Sequence, residues 1–102
     1  MARFVKVAAT DELEDQQAKL AEVEGQKIAL FRVDGTFYAL SDTCTHRGGP
    51  LSEGTVEEAE VTCLWHGAKF DVRTGAVLGA PAPQGVKSYR ARVTGADVEI
   101  EV

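Results

Sequence analysis

The chain contains very few cysteines and histidines: 102 residues include two of each. Two cysteines allow at most one disulfide, which excludes the multi-bridge framework of small secreted domains. Long apolar runs are missing too. No stretch approaches the about 20 residues of a membrane span, and the start, MARFVKVAATDELEDQQ, lacks the apolar run of a signal peptide. We therefore expect a cytoplasmic protein with no membrane association.

Positive charge is scarce. The chain has 11 Lys and Arg against 16 Asp and Glu, a formal net charge of −5 at pH 7. Because the basic residues are scattered, the sequence lacks the basic patch of a nucleic-acid-binding protein. The acidic balance fits simple solubility, and it also fits charge-steered encounter with a partner that has a basic docking face.

The first half of the chain predicts short strands. We expect a strand at 3–8 and a hairpin over 26–40 that turns at Asp34-Gly35. The segment 10–25 is ambiguous, because alone it favours a helix. A helical turn near 10–14, then a strand at about 18–23, would lead directly into the hairpin through a turn at Glu24-Gly25, and we adopt that interpretation.

The second half continues in the same way. Its predicted elements are a strand at the end of 55–62, a hairpin over 69–77 turning at Thr74-Gly75, an irregular proline-containing loop at 78–85, and strands at 86–93 and 97–102. About eight short strands predict one all-β domain over residues 1–102, a small sandwich or barrel of antiparallel sheets.

All cysteines and histidines lie in two stretches, CTHRGGPLSEG (44–54) and CLWHGAKFD (63–71), as the pairs Cys44-x-His46 and Cys63-x-x-His66. A Cys44–Cys63 disulfide would leave the histidines unexplained, and a Cys–His nucleophile would leave the second pair without a role. Zinc could take all four ligands. The single-residue spacer in the first pair is, however, unusually short for a zinc knuckle.

A Rieske [2Fe–2S] cluster uses two cysteines on one iron and two histidines on the other. If two loops hold the cluster, each loop supplies one cysteine and one histidine, as these two pairs do. We therefore predict that Cys44, His46, Cys63 and His66 bind one such cluster. A zinc-stabilised interaction domain is the alternative, and metal analysis separates the two.

At these residues the chain resembles the Rieske ferredoxin family. CTHRGGPLSEG and CLWHGAKFDVRTG resemble its two cluster loops, and GAPAP (79–83) resembles the proline loop that covers the cluster. The resemblance implies stacked antiparallel sheets with a cluster-binding part at about 41–83. One departure is ELEDQQ (12–17), where family members often have a Pro-Gly turn.

The resemblance implies an electron carrier rather than an enzyme. Such a ferredoxin passes single electrons from an NAD(P)H-dependent flavoprotein reductase to the terminal oxygenase of a multicomponent system, typically one that attacks aromatic compounds. A small Rieske subunit of a larger redox enzyme, such as nitrite reductase, is the alternative. A complete oxygenase is excluded, because no histidine remains for a mononuclear iron site.

Residues around the ligands extend this interpretation. We expect Gly48, Gly49 and Gly67 to let the backbone approach the sulfides. Arg47 and Trp65 fit either an ordinary surface or packing role or a docking rim around exposed ligands.

Related high-potential Rieske proteins carry an extra cysteine in each loop, and serine and tyrosine hydroxyls where this chain has Ala68 and Phe70. Because hydrogen bonds to sulfur stabilise the reduced cluster, their loss predicts a low potential, about −150 to −50 mV.

Overall fold

Eleven short strands in the described part of the chain form three antiparallel sheets. The computed structural model describes residues 3–43, 50–64, 67–79 and 84–102. The strands are β1 (Phe4–Ala9), β2 (Gln17–Val23), β3 (Gln26–Val33), β4 (Thr36–Ser41), β5 (Thr55–Glu57), β6 (Glu60–Thr62), β7 (Lys69–Asp71), β8 (Val77–Gly79), β9 (Ser88–Tyr89), β10 (Ala91–Thr94) and β11 (Asp97–Glu101). Short 3₁₀ turns occur at Thr10–Glu12 and Leu51–Glu53. None of the described residues belongs to a helix long and apolar enough to cross a bilayer.

Each of the three sheets is formed by a different set of strands. The terminal sheet has the order β1-β11-β10, the central sheet β2-β3-β4-β9, and the loop-bearing sheet β5-β6-β7-β8. The terminal sheet thus joins the first strand to the last, and the loop-bearing sheet consists of the region that carries the predicted ligand loops. The all-β prediction is confirmed.

The central sheet is buried on both faces, which explains the continuous apolar run in β3. Ile28 and Leu30 pack in a core with Val98 of the terminal sheet, whereas Ala29 and Phe31 pack in a second core that includes residues of the loop-bearing sheet. The side chains of 28–31 are all fully buried. Alternate residues of one strand therefore serve two cores, as expected for a strand covered on both sides.

The ambiguous segment after β1 forms the predicted helical turn and strand. The Arg32 guanidinium holds the turn, because its Nη1 donates to the carbonyls of Thr10 at 3.2 Å and Leu13 at 2.7 Å. Gln16 then has a φ of 68°, and β2 pairs with β3 along its whole length. Contacts from the neighbouring strand thus fix this segment where the sequence has no Pro-Gly turn.

Two predicted boundaries were wrong, and one predicted strand has an additional neighbour. The segment 86–93 is not one strand: β9 pairs with β4, and after Arg90 β10 pairs with β11, so the chain changes sheets. The strand predicted at the end of 55–62 is confirmed as β6, and an additional strand, β5, precedes it, because Glu58 adopts a φ of 55° and turns β5 onto β6. Strand β8 also includes the first two residues of the predicted loop 78–85.

Candidate metal centre

Of the four predicted ligands, the described residues include Cys63. The other predicted site residues lie outside them, and these are Cys44, His46, Arg47, Gly48, Gly49, Trp65, His66 and the proline segment 80–83. The structure does describe the framework that carries all three predicted loops. That framework shows how the chain brings their ends together.

Cys63 lies directly after β6, and 1% of its surface is exposed. Its N–H donates to the Ala68 carbonyl at 2.8 Å, and its own carbonyl accepts from Gly67 N–H at 3.2 Å. These two bonds close a tight turn. Gly67 has a φ of +75°, and a Cβ added there would meet no atom of the described residues within 4 Å, its chain neighbours aside. The left-handed backbone favours a glycine at this position.

The first predicted loop is closed at its base by backbone pairing. Thr43 and Pro50 form an isolated β-bridge on either side of residues 44–49. Just before the bridge, Asp42 accepts at its carbonyl from Leu51 N–H and at Oδ1 from Ser52 N–H, both at 2.7 Å. Asp42 was not among the residues predicted from the sequence. Its signal would have been an acidic residue placed between an apolar strand and a ligand loop.

The exit of the first loop lies directly against the strand that leads to Cys63. A Cβ added to Gly54 would be 2.4 Å from the Thr62 carbonyl oxygen and 3.1 Å from Val61 Cγ2. Only a glycine permits this approach of the backbone, so the base of the first loop is in contact with the base of the second.

The segment after residues 80–83 is attached to the β7–β8 turn. Val86 N–H donates to the Gly75 carbonyl at 2.8 Å. A Cβ on Gly75 would lie 2.1 Å from the Val86 oxygen, and one on Gly85 would lie 2.4 Å from the Gly75 oxygen. The two glycines therefore allow the two backbones to touch, which fixes the end of the predicted proline loop to the second ligand loop.

A salt bridge shapes the same turn. The Asp71 carboxylate accepts from Arg73 Nε at 3.1 Å and Nη2 at 3.0 Å, and also from the Arg73 backbone N–H. These hydrogen bonds, chiefly those from the guanidinium, hold the pKa of Asp71 below its usual value. The Asp71 carbonyl accepts from Gly75 N–H at 2.7 Å, which closes the turn.

The ends of the three loops meet in one apolar core. Leu51 follows the first loop, Cys63 and Ala68 bracket the second, and Val86 follows the third; all four belong to the same cluster of buried side chains, together with Phe70. Leu64, next to Cys63, is 62% exposed. The site therefore lies where this core reaches the surface.

This framework fits an iron–sulfur cluster held by loop residues. The predicted ligand Cys63 lies at the edge of an apolar core, and Ala68 and Phe70 are fully buried without a side-chain hydroxyl. In the described ranges no group of three or more His, Cys, Asp or Glu side chains could hold a metal.

Comparison with known proteins gives the class. A family model described as "Rieske [2Fe-2S] domain" matches residues 3–90. The biphenyl dioxygenase ferredoxin subunit of Pseudomonas sp. (strain KKS102) is 39% identical over 99 residues, which cover 96% of this chain and 91% of that protein.

Comparison with solved structures gives the same class. The ferredoxin of carbazole 1,9a-dioxygenase from Nocardioides aromaticivorans IC177 has a TM-score of 0.92 and 30% identity over 95% of both chains. A chain in the complex of reduced oxygenase and oxidized ferredoxin of carbazole 1,9a-dioxygenase has a TM-score of 0.90 and 31% identity, over 95% of this chain and 91% of that chain.

The chain belongs to the Rieske [2Fe–2S] domain family. It carries a Rieske-type [2Fe–2S] cluster and is an electron-transfer protein of the ferredoxin type, not an enzyme in itself.

Proposed function

We propose that this protein is a cytoplasmic one-electron carrier between a flavoprotein NAD(P)H reductase and the terminal oxygenase of an aromatic-ring oxygenase system. The names of its relatives support this role, since they are ferredoxin components of biphenyl and carbazole dioxygenases. A related chain is present in a solved complex of an oxygenase with its ferredoxin. We take residues 1–102 as a single domain with the cluster-binding part at about 41–83.

We propose Cys44, His46, Cys63 and His66 as the cluster ligands. When bound, the cluster supplies a one-electron redox couple. The observation that carries the assignment is the convergence of all three loop bases on the core that contains Cys63. This core keeps water from the thiolate side, while the exposed position of Leu64 leaves the second ligand turn accessible to a partner.

The potential follows from the surroundings of the sulfur atoms. Ala68 and Phe70 offer no hydroxyl donor, and both are fully buried. Fewer hydrogen bonds to sulfur favour the oxidised cluster. We therefore propose a midpoint potential of about −150 to −50 mV, which suits a carrier reduced by a flavoprotein.

EPR spectroscopy of the dithionite-reduced protein, with iron and acid-labile sulfide analysis of the same sample, tests the proposed cluster. We expect a Rieske spectrum, with an average g value below that of all-cysteine clusters. A colourless protein with one zinc ion and no sulfide would contradict it. A second assay tests the proposed electron transfer by mixing the protein with NADH, a flavoprotein reductase and an aromatic-ring oxygenase. Purification in fixed ratio with a large subunit would contradict a free carrier.

A further inference from the structure

Asp42 is the one charged residue that is buried among those the structure describes, with 3% of its surface exposed. Burying a carboxylate is costly unless its oxygens accept hydrogen bonds. It also stands two residues before the predicted ligand Cys44. A buried acid at this position calls for a structural or functional reason.

The hydrogen bonds of Asp42 join three parts of the chain. Its N–H donates to the Lys27 carbonyl of β3 at 3.0 Å, its carbonyl accepts from Leu51 N–H at 2.7 Å, and Oδ1 accepts from Ser52 N–H at 2.7 Å. The first bond attaches the entrance of the ligand loop to the central sheet. The other two attach its exit to its entrance.

Leu51 connects this closure to the second ligand loop. It is fully buried and packs in the core that also contains Cys63. When Asp42 holds the backbone of 51–52 in place, it therefore also fixes the first loop relative to the strand end that carries Cys63. Of the three hydrogen bonds of Asp42, only the one to Oδ1 uses a side-chain atom, so a substitution of Asp42 can remove this bond alone.

We propose that Asp42 is a positioning residue for the cluster. Its carboxylate oxygen closes the first ligand loop and sets the first loop against the second. This inference rests on the proposed function, because it assumes a cluster bound across both loops. The acceptor oxygen is the required feature, and the negative charge is not.

Two nearly isosteric variants separate the acceptor from the charge. Asp42→Asn removes the charge and keeps an oxygen that can accept from Ser52 N–H, whereas Asp42→Leu removes both. Ser52→Ala is the matched control, because Ser52 contributes its backbone N–H to the bond. The readouts are the rate of cluster loss in excess chelator, followed by visible absorbance, together with the EPR line shape and the midpoint potential.

We expect Asp42→Leu to lose its cluster roughly 10- to 100-fold faster than the wild type, the range for residues that orient metal ligands, and to show an altered EPR line shape. Asp42→Asn should stay within about 3-fold of the wild type, and Ser52→Ala should be unchanged. If Asp42→Leu does not fold, Asp42→Ala takes its place with the same expectation.

Specific outcomes overturn the inference. One is a leucine or alanine variant that melts at a lower temperature yet keeps the wild-type rate of cluster loss and EPR spectrum, since the role would then be structural only. Another is an asparagine variant as impaired as the leucine variant, since charge would then matter. A wild-type protein without the Rieske spectrum would instead overturn the proposed function, and this result is seen before any variant is measured.

Discussion

Cys63 is positioned by backbone hydrogen bonds that need no metal. Its N–H and carbonyl are both used within the 63–68 turn, and its side chain lies in the apolar core. A buried thiolate at a strand end is suited to ligate iron while water is kept away from that side of the cluster. The adjacent Leu64 is exposed, so Cys63 is the proposed ligand position and Leu64 provides a control for it.

Replacing Cys63 by alanine should abolish cluster binding, because it removes one of the two thiolates that we propose as ligands of one iron. We expect less than about a tenth of the wild-type iron and sulfide per chain after purification. Leu64→Ala should retain both, since its side chain is largely exposed to solvent. Wild-type iron and sulfide content in the Cys63→Ala protein would remove Cys63 from the ligand set.

Residue 68 offers a direct test of how the potential is set. Its carbonyl bonds to Cys63 N–H and its side chain is fully buried, so a new hydroxyl there has no water to bond and lies beside the cysteine. We expect Ala68→Ser to raise the midpoint potential by about 20–60 mV. This shift corresponds to a new hydrogen bond that is stronger in the reduced state than in the oxidised state by about 0.5–1.5 kcal/mol.

The control for this substitution is Val72→Thr, which adds a hydroxyl to the same core at a position beyond β7. It should lower the stability and leave the potential unchanged. Protein-film voltammetry measures both variants under the same conditions. A potential that falls or stays constant in Ala68→Ser would show that this position does not donate to the cluster.

At the scale of elements, the contact between Gly75 and Gly85–Val86 fastens the third loop to the second. Gly75 combines a φ of +82° with a Cβ position 2.1 Å from a carbonyl oxygen. Gly35 has a similar φ of +78° and no atom within 4 Å of its Cβ position. The backbone is therefore left-handed at both positions, but a Cβ would clash with a neighbouring atom only at Gly75.

Gly75→Ala should destabilise the protein by about 2–4 kcal/mol, because the left-handed conformation and the displaced Val86 backbone both cost free energy. Gly35→Ala should cost about 1 kcal/mol, from the conformation alone. Urea denaturation of both variants measures the difference. Equal losses would show that the backbone at Val86 moves away without cost and that the third loop is not held there.

The elements that could be predicted from the sequence are those specified by local residues. The hairpin of β3 and β4 follows from Asp34-Gly35 and the two apolar runs beside it. The break between β9 and β10 could not be predicted, because the alternation of YRARV (89–93) continues across Arg90 and only the tertiary structure decides which strand each part pairs with. The turn before β2 depends likewise on Arg32, about 20 residues away in sequence.

The candidate site shows the same division. The chemistry of the ligands follows from two spaced Cys–His pairs and could be predicted. The role of Asp42 depends on Leu51 and Ser52 folding back onto it, and no spacing rule indicates that contact. Residues that bind a metal are recognised by type, whereas the hydrogen-bond partners of a residue that holds a loop closed are recognised only from the fold.

For the whole molecule, the central sheet separates two cores with different dependence on the cluster. The core between the terminal and central sheets contains Ile28, Leu30, Val98 and Ile100 and no described residue of 50–79. The other core contains Leu51, Cys63 and Ala68. Cluster removal should therefore affect mainly the second core.

Hydrogen exchange of the apoprotein should show this difference. We expect amides of β6 and β7 to exchange roughly 100-fold faster than in the holoprotein, because a bound cluster stabilises the folded loops by mass action. Amides of β11 should change by less than about 10-fold. An equal loss of protection in both sheets would show that the two cores unfold as one cooperative unit.

Burial of β3 on both faces has a consequence for synthesis on the ribosome. One face of the segment 28–31 is covered partly by Val98 and Ile100, which lie about 70 residues further along the chain. Until these residues are translated an uncharged, β-prone segment faces water, and such segments promote aggregation of nascent chains. We expect chaperones to bind this segment during translation and to release it when β11 inserts beside β1.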